Sequence, residues 1–142
     1  MKNALVFVLT AFLALPVGAQ TPEIGPMDGT QADLSEFLWK NRPIVVFADN
    51  PADPRFQDQL DFLAQDLPAL ETRDVVILTD ADPAAKSALR QKLRPRGFAL
   101  VVLAKDGSVI LRKPLPWHVR EITRTIDKQP LRQQEIRDRI GD

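Results

Sequence analysis

Residues 49–55 read Asp-Asn-Pro-Ala-Asp-Pro-Arg, a run of side chains able to hold a ligand. Asp53 followed by Pro54 marks a helix start, with a carboxylate to cap free N–H groups and a proline where its missing N–H costs nothing. Such a terminus carries partial positive charge and favours an anion. Arg55, one turn in, adds a guanidinium that can grip a carboxylate or phosphate with two hydrogen bonds. Asp49, Asn50, Asp53 and Arg55 are therefore candidate ligand-binding residues. The competing reading is that Asp53 satisfies its own cap while Arg55 points into water.

A second group lies around Asp106-Gly107. Lys105 and Arg112 fall on opposite arms of a predicted hairpin and are expected as cross-strand neighbours, with Lys113 beside them. Lys105 and Arg112 join the candidate ligand residues; solvated hairpin charge is the alternative. Asp49 and Asp80 both end predicted strands, and paired carboxylates at one sheet edge would bind a divalent cation or share a proton. Strand-end aspartates also serve turns. The single histidine, His118, cannot make a zinc site without further ligands, and no serine lies near it in sequence. The six glycines form no phosphate-binding spacing. No catalytic residue, metal ligand or cofactor is assigned.

The elements that must position these residues follow from apolar spacing and proline punctuation. A helix is expected from Thr30, with Asp33 in a variant capping box, to Asn41, since Pro43 disfavours helical geometry in Arg42. Residues 44–48 form a continuous β-branched and aromatic run, as in strands buried on both faces. The Asp53-capped helix places Phe56, Leu60, Leu63 and Leu67 on one face and ends at Pro68. A strand over 75–79 follows, then a helix from Asp82-Pro83 through Leu89 and Leu93 to Pro95. Residues 98–104 and 108–111 make the hairpin. Val119, Ile122 and Ile126 mark a further helix, and Pro130 opens a last one over 131–140.

The N-terminal segment reads as an export signal. Met1-Lys2-Asn3 is a short positive start, residues 4–15 are apolar but for Thr10, and Val17-Gly18-Ala19 follow the helix-breaking Pro16. The apolar run falls short of the roughly 20 residues that span a bilayer. Cleavage after Ala19 is expected, with no membrane span afterwards, and the protein is expected to be periplasmic or secreted. Residues 20–29 read as a flexible lead-in to a domain over 30–142. Of the 142 residues, 123 then remain, carrying 18 basic and 19 acidic side chains. That balance argues against a nucleic-acid partner. The chain has no cysteine, so packing alone must hold an exported domain together.

The predicted order is an N-terminal helix, then β-α-β-α-β-β-α, then a C-terminal helix. Two parallel crossovers followed by a hairpin and a covering helix make a thioredoxin-like three-layer α/β fold. Thioredoxins carry Cys-x-x-Cys at the start of the helix after the first of these strands. An ungapped overlay places those positions at about Pro51 and Pro54, and the cis-proline of thioredoxins falls near Phe98-Ala99. Neither hallmark is present. The chain also resembles the exported bacterial family called domain of unknown function 4174, related to domains of eukaryotic sushi-repeat extracellular proteins. The resemblance rests on Trp39-Lys40-Asn41-Arg42, Asp53-Pro54-Arg55, Arg73-Asp74, Lys105-Asp106-Gly107 with Arg112, and Ile126-Asp127 through Pro130, Arg132 and Glu135. It implies a thioredoxin-like fold and no particular activity.

These readings converge on a thioredoxin-like domain without redox function, expected to act as a binding or interaction module for a small anion or a protein partner. The competing class is an enzyme using non-thiol residues at the sheet edge, with Asp49, Arg55 and Lys105 as participants.

Overall fold

The computed structural model describes residues 23–141. The expected export signal lies outside the described residues. Five strands form one sheet in the order β1-β3-β2-β4-β5: β1 (Met27–Asp28), β2 (Arg42–Phe47), β3 (Val75–Asp80), β4 (Ala99–Leu103) and β5 (Val109–Lys113). Strands β1, β2 and β3 are parallel, whereas β4 runs antiparallel to β2 and β5 antiparallel to β4.

The continuous apolar runs are continuous because both faces are covered. Ile44, Val46, Ile77, Leu100 and Val102 point toward α1 (Pro54–Ala64), α2 (Leu67–Glu71) and α4 (Val119–Asp127). Val45, Phe47, Leu78, Val101 and Leu103 face Leu89 and Leu93 of α3 (Ala88–Leu93), with Leu34 and Phe37 packed alongside. Every residue of β2 and β4 is buried. Each fully buried large aliphatic side chain contributes about 1.5–3 kcal/mol, which lets a disulfide-free chain hold this arrangement. A last helix, α5 (Pro130–Gly141), follows α4. The layers are those of the expected thioredoxin-like fold.

Several boundaries differ from the sequence reading. A 3-10 turn (Leu34–Phe37) stands where the N-terminal helix is expected. Asp33 caps it, and Trp39, at φ 63° with its N–H donating to the Lys105 carbonyl, ends it. The expected lead-in contains β1, and the Ile24 carbonyl accepts from the Ile77 N–H at 2.8 Å. Pro68 does not terminate α1; Asp66 caps a new helix, α2, and Pro68 sits in its first turn. Lys86, at φ 47°, splits the next predicted helix into a 3-10 turn (Pro83–Ala85) and α3.

The crossovers are also displaced by one strand. The parallel connections are β1 to β2 and β2 to β3, whereas β3 to β4 is not parallel. Helix α3, with six residues, rises only about 9 Å. It does not carry the chain back along the sheet, so β4 starts at the edge where β3 ends. The carboxyl ends of β2, β3 and β5 thus share one edge with the start of β4, since Phe47 pairs with Asp80 and Ala99, and Leu100 with Lys113.

Candidate functional site

At this carboxyl edge, loop 49–55 is held by its own polar groups. The Asn50 side chain accepts from the Ala52 N–H at 2.8 Å, and the Asp53 N–H donates to the Asn50 carbonyl at 3.1 Å. One Asp53 oxygen accepts from the Arg55 N–H at 2.9 Å and from Arg55 Nε at 3.2 Å, while the other takes Arg55 Nη2 at 2.9 Å. The Arg55 hydrogen bonds hold the Asp53 carboxyl below its ordinary range. The helix terminus is therefore occupied by a carboxylate of the chain itself, and Arg55 is committed to it. The Arg55 guanidinium also lies 5.6 Å from the centroid of the Phe98 ring. Asp49 is exposed, near Gly97.

Beneath this loop Asp80 is buried and fully engaged. It accepts from the Ser87 hydroxyl, from Arg90 Nε at 3.0 Å and from the Asp82 N–H at 3.1 Å. Arg90 Nη2 reaches the Ala48 carbonyl at 2.7 Å, tying the end of β2 to α3. Of the two readings of Asp80, its hydrogen bond from the Asp82 N–H and its ion pair with Arg90 fit the turn-forming one and not a cation or proton site shared with Asp49. No group of three potential metal-ligating side chains occurs among the described residues. His118 stacks on Phe62 with ring centroids 3.9 Å apart, at the opening of α4.

Lys105 and Arg112 are not cross-strand neighbours. Arg112 pairs with Val101, and Lys105 lies beyond the end of β4 at the opposite edge of the sheet. There Lys105 Nζ contacts Asp74 at 2.7 Å and Glu135 of α5 at 2.8 Å. Glu135 also receives two hydrogen bonds from Arg42, at 3.0 and 3.2 Å, and one from Arg132 at 3.3 Å. Asp127 binds Arg73 at 2.8 and 2.9 Å and Arg132 at 3.4 Å. Burial pushes the Glu135 carboxyl up, but the hydrogen bonds from Arg42 and Lys105 outweigh it and hold the group at about 2. Arg42, Arg73, Asp74, Lys105, Asp127, Arg132 and Glu135, which stand among the residues that carry the family resemblance, thus meet in one ion-pair network that fixes α5.

Arg112 belongs to a different cluster. Together with Arg94, Arg96 and Lys113 it borders a hollow of about 420 Å³ at the carboxyl edge, whose remaining wall is Leu93, Phe98, Ala99 and Pro114. Arg112 shares the sheet face of Val101, which α3 covers only as far as Leu93. The short helix therefore leaves β5 open and creates the hollow. Among the described residues none of the four cations forms a salt bridge, and no carboxylate lines the hollow. Lys113 Nζ lies 4.5 Å from the centroid of the Trp117 ring. Arg94, at φ 48°, and Gly97, at φ 61°, turn the chain so that Arg94 and Arg96 reach this side. Sequence reading identified Arg112 but not Arg94 or Arg96; the signal was the Arg-Pro-Arg-Gly run at 94–97.

The geometry can be set against known proteins. The reduced 2-Cys peroxiredoxin of Plasmodium vivax superposes with a TM-score of 0.56 at 16% identity, covering 73% of this chain and 85% of that one. A chloroplastic thioredoxin z gives a TM-score of 0.49 at 20% identity, over 63% of this chain and 78% of the other. The peroxiredoxin likeness supports a thioredoxin-like fold, here in a chain without cysteine. No curated protein matches the chain. The family described as "Domain of unknown function (DUF4174)" matches residues 33–135, and the chain belongs to it.

Proposed function

We propose that this protein is an exported, non-redox binding module whose ligand is an anion held in the basic hollow at the carboxyl edge of the sheet. One observation carries the reading: Arg94, Arg96 and Arg112 border one hollow that has no carboxylate in its lining. Ligands of open α/β sheets sit outside the carboxyl ends of the strands, and arginine suits carboxylate or phosphate through paired hydrogen bonds. The apolar wall of Leu93, Phe98, Ala99 and Pro114 suits an organic body on that anion. Catalysis is the weaker reading, because Asp53, Asp80 and Lys105 are each bound in an ion pair. Export rests on the signal-like residues 1–19.

The test is thermal denaturation with citrate. At a concentration of about 100 times Kd, a ligand specific to the native state adds roughly 2.7 kcal/mol, several degrees for a domain of this size. Wild type and Arg55→Ala should rise together, while Arg96→Ser and Arg112→Ser should lose most of the shift. An equal rise in all four proteins removes the hollow as the site. Export is checked by the mass of the protein recovered outside the cytoplasm, expected to begin at Gln20. A chain retaining Met1 there would remove the cleavage.

A further inference from the structure

Strand β5 is the last in the sheet. It pairs with β4 on one side and, among the described residues, with no strand on the other. Among the described residues no loop or turn backbone hydrogen bond reaches its outer side either. An open edge of this kind is a template for an extended chain, which gains main-chain hydrogen bonds along its length. The shift in register between Val102 and Leu103 is confined to the amino end of β5, so Leu111, Arg112 and Lys113 keep regular pairing.

What surrounds the edge selects its occupant. Arg94, Arg96 and Arg112, none of them in a salt bridge among the described residues, stand at its carboxyl end. Two copies of such an edge repel one another, and the same charge attracts carboxylates. Val109 is 46% exposed and Leu115 59% exposed, so apolar side chains flank the strand toward either end. Residues on an added strand alternate between faces. Those on the face of Arg112 would come beside the guanidinium groups.

Resting on the anion-binding reading of the hollow, we propose that β5 is a docking edge for an extended acidic segment of another protein. The segment adds a strand along Val109–Lys113 and lays alternate carboxylates toward Arg112, Arg94 and Arg96.

Titration of isotope-labelled protein by NMR tests this with three probes. They are an end-blocked Val-Glu-Val-Glu-Val peptide, the same peptide with alternate backbone nitrogens methylated, and citrate. The unmodified peptide should bind about tenfold or more tighter than citrate and shift the amides of 109–113. Methylation, which deletes main-chain donors, should weaken it on the order of tenfold. Arg96→Glu, a loop change outside the strand, should weaken peptide and citrate alike. If methylation changes nothing, or the peptide binds no tighter than citrate, edge pairing is overturned while citrate binding leaves the anion site standing. If neither citrate nor peptide binds, both readings fall together.

Discussion

Gln59 illustrates what single residues contribute and how they escape notice in a sequence. It is fully buried in α1, where its amide donates to the Trp117 carbonyl at 2.8 Å and accepts the Trp117 N–H at 2.9 Å. One side chain thereby replaces water for two backbone groups at the entry to α4. Gln59→Leu keeps the volume and leaves both groups without that partner, a loss of about 1–3 kcal/mol. Calorimetry should show a lower Tm, and an unchanged Tm would mean that the backbone there finds other partners. Apolar spacing identified Phe56 and Leu63 on this buried face, and both are buried. It passed over Gln59, because the reason for burying a polar side chain there lies 58 residues away. The Asp53 cap, by contrast, was readable because its partner is only two residues on.

At the scale of elements, Pro130 made α5 legible as a helix over 131–140, but not what holds it in place. Its apolar stripe is thin, and the buried side chain it contributes is Arg132. Hydrophobic periodicity shows what anchors a helix that buries hydrocarbon and is silent on one fixed by charge. Glu135 contacts Arg42, whose side chain is 1% exposed, so loss of Glu135 takes the carboxylate partner from that guanidinium. Such breakage costs about 3–5 kcal/mol. Truncation after Lys128 should therefore lower stability sharply in urea unfolding; a truncated protein as stable as the full chain would show that the network does not hold the fold.

The pH dependence of this network has a definite sign. Glu135 is held at about 2 against an ordinary 4.5, so the unfolded chain takes up its proton first as the medium is acidified. The stabilisation is complete above about pH 4.5 and fades as pH falls toward 2. Tm of wild type should drop more steeply across that window than Tm of Glu135→Gln, which has no such proton to bind. Parallel curves would count against the assignment. The β3-to-β4 connection failed to be read for another reason. Composition predicts a helix between two strands, but strand direction depends on helix length, and Lys86 interrupts the run with a left-handed residue that no spacing rule anticipates.

For the whole molecule, charge is divided between the two edges of the sheet. At the amino edge Arg42, Lys105 and Arg132 are partly or wholly buried and balanced by Asp74, Asp127 and Glu135. At the carboxyl edge Arg94, Arg96 and Arg112 are exposed and unbalanced. Salt distinguishes the two, since screening shortens the reach of exposed charges from about 10 Å at 0.1 M to about 3 Å at 1 M and affects buried pairs much less. Raising sodium chloride over that range should leave the ligand-free Tm unchanged or slightly higher, because repulsion around the hollow is relieved while the buried network persists. The shift produced by a fixed citrate concentration should shrink severalfold over the same range. A ligand-free Tm that falls steeply, together with a citrate shift that survives, would reverse the assignment. The amino edge would then be the solvent-exposed electrostatic surface, and the hollow would hold its ligand by apolar contact.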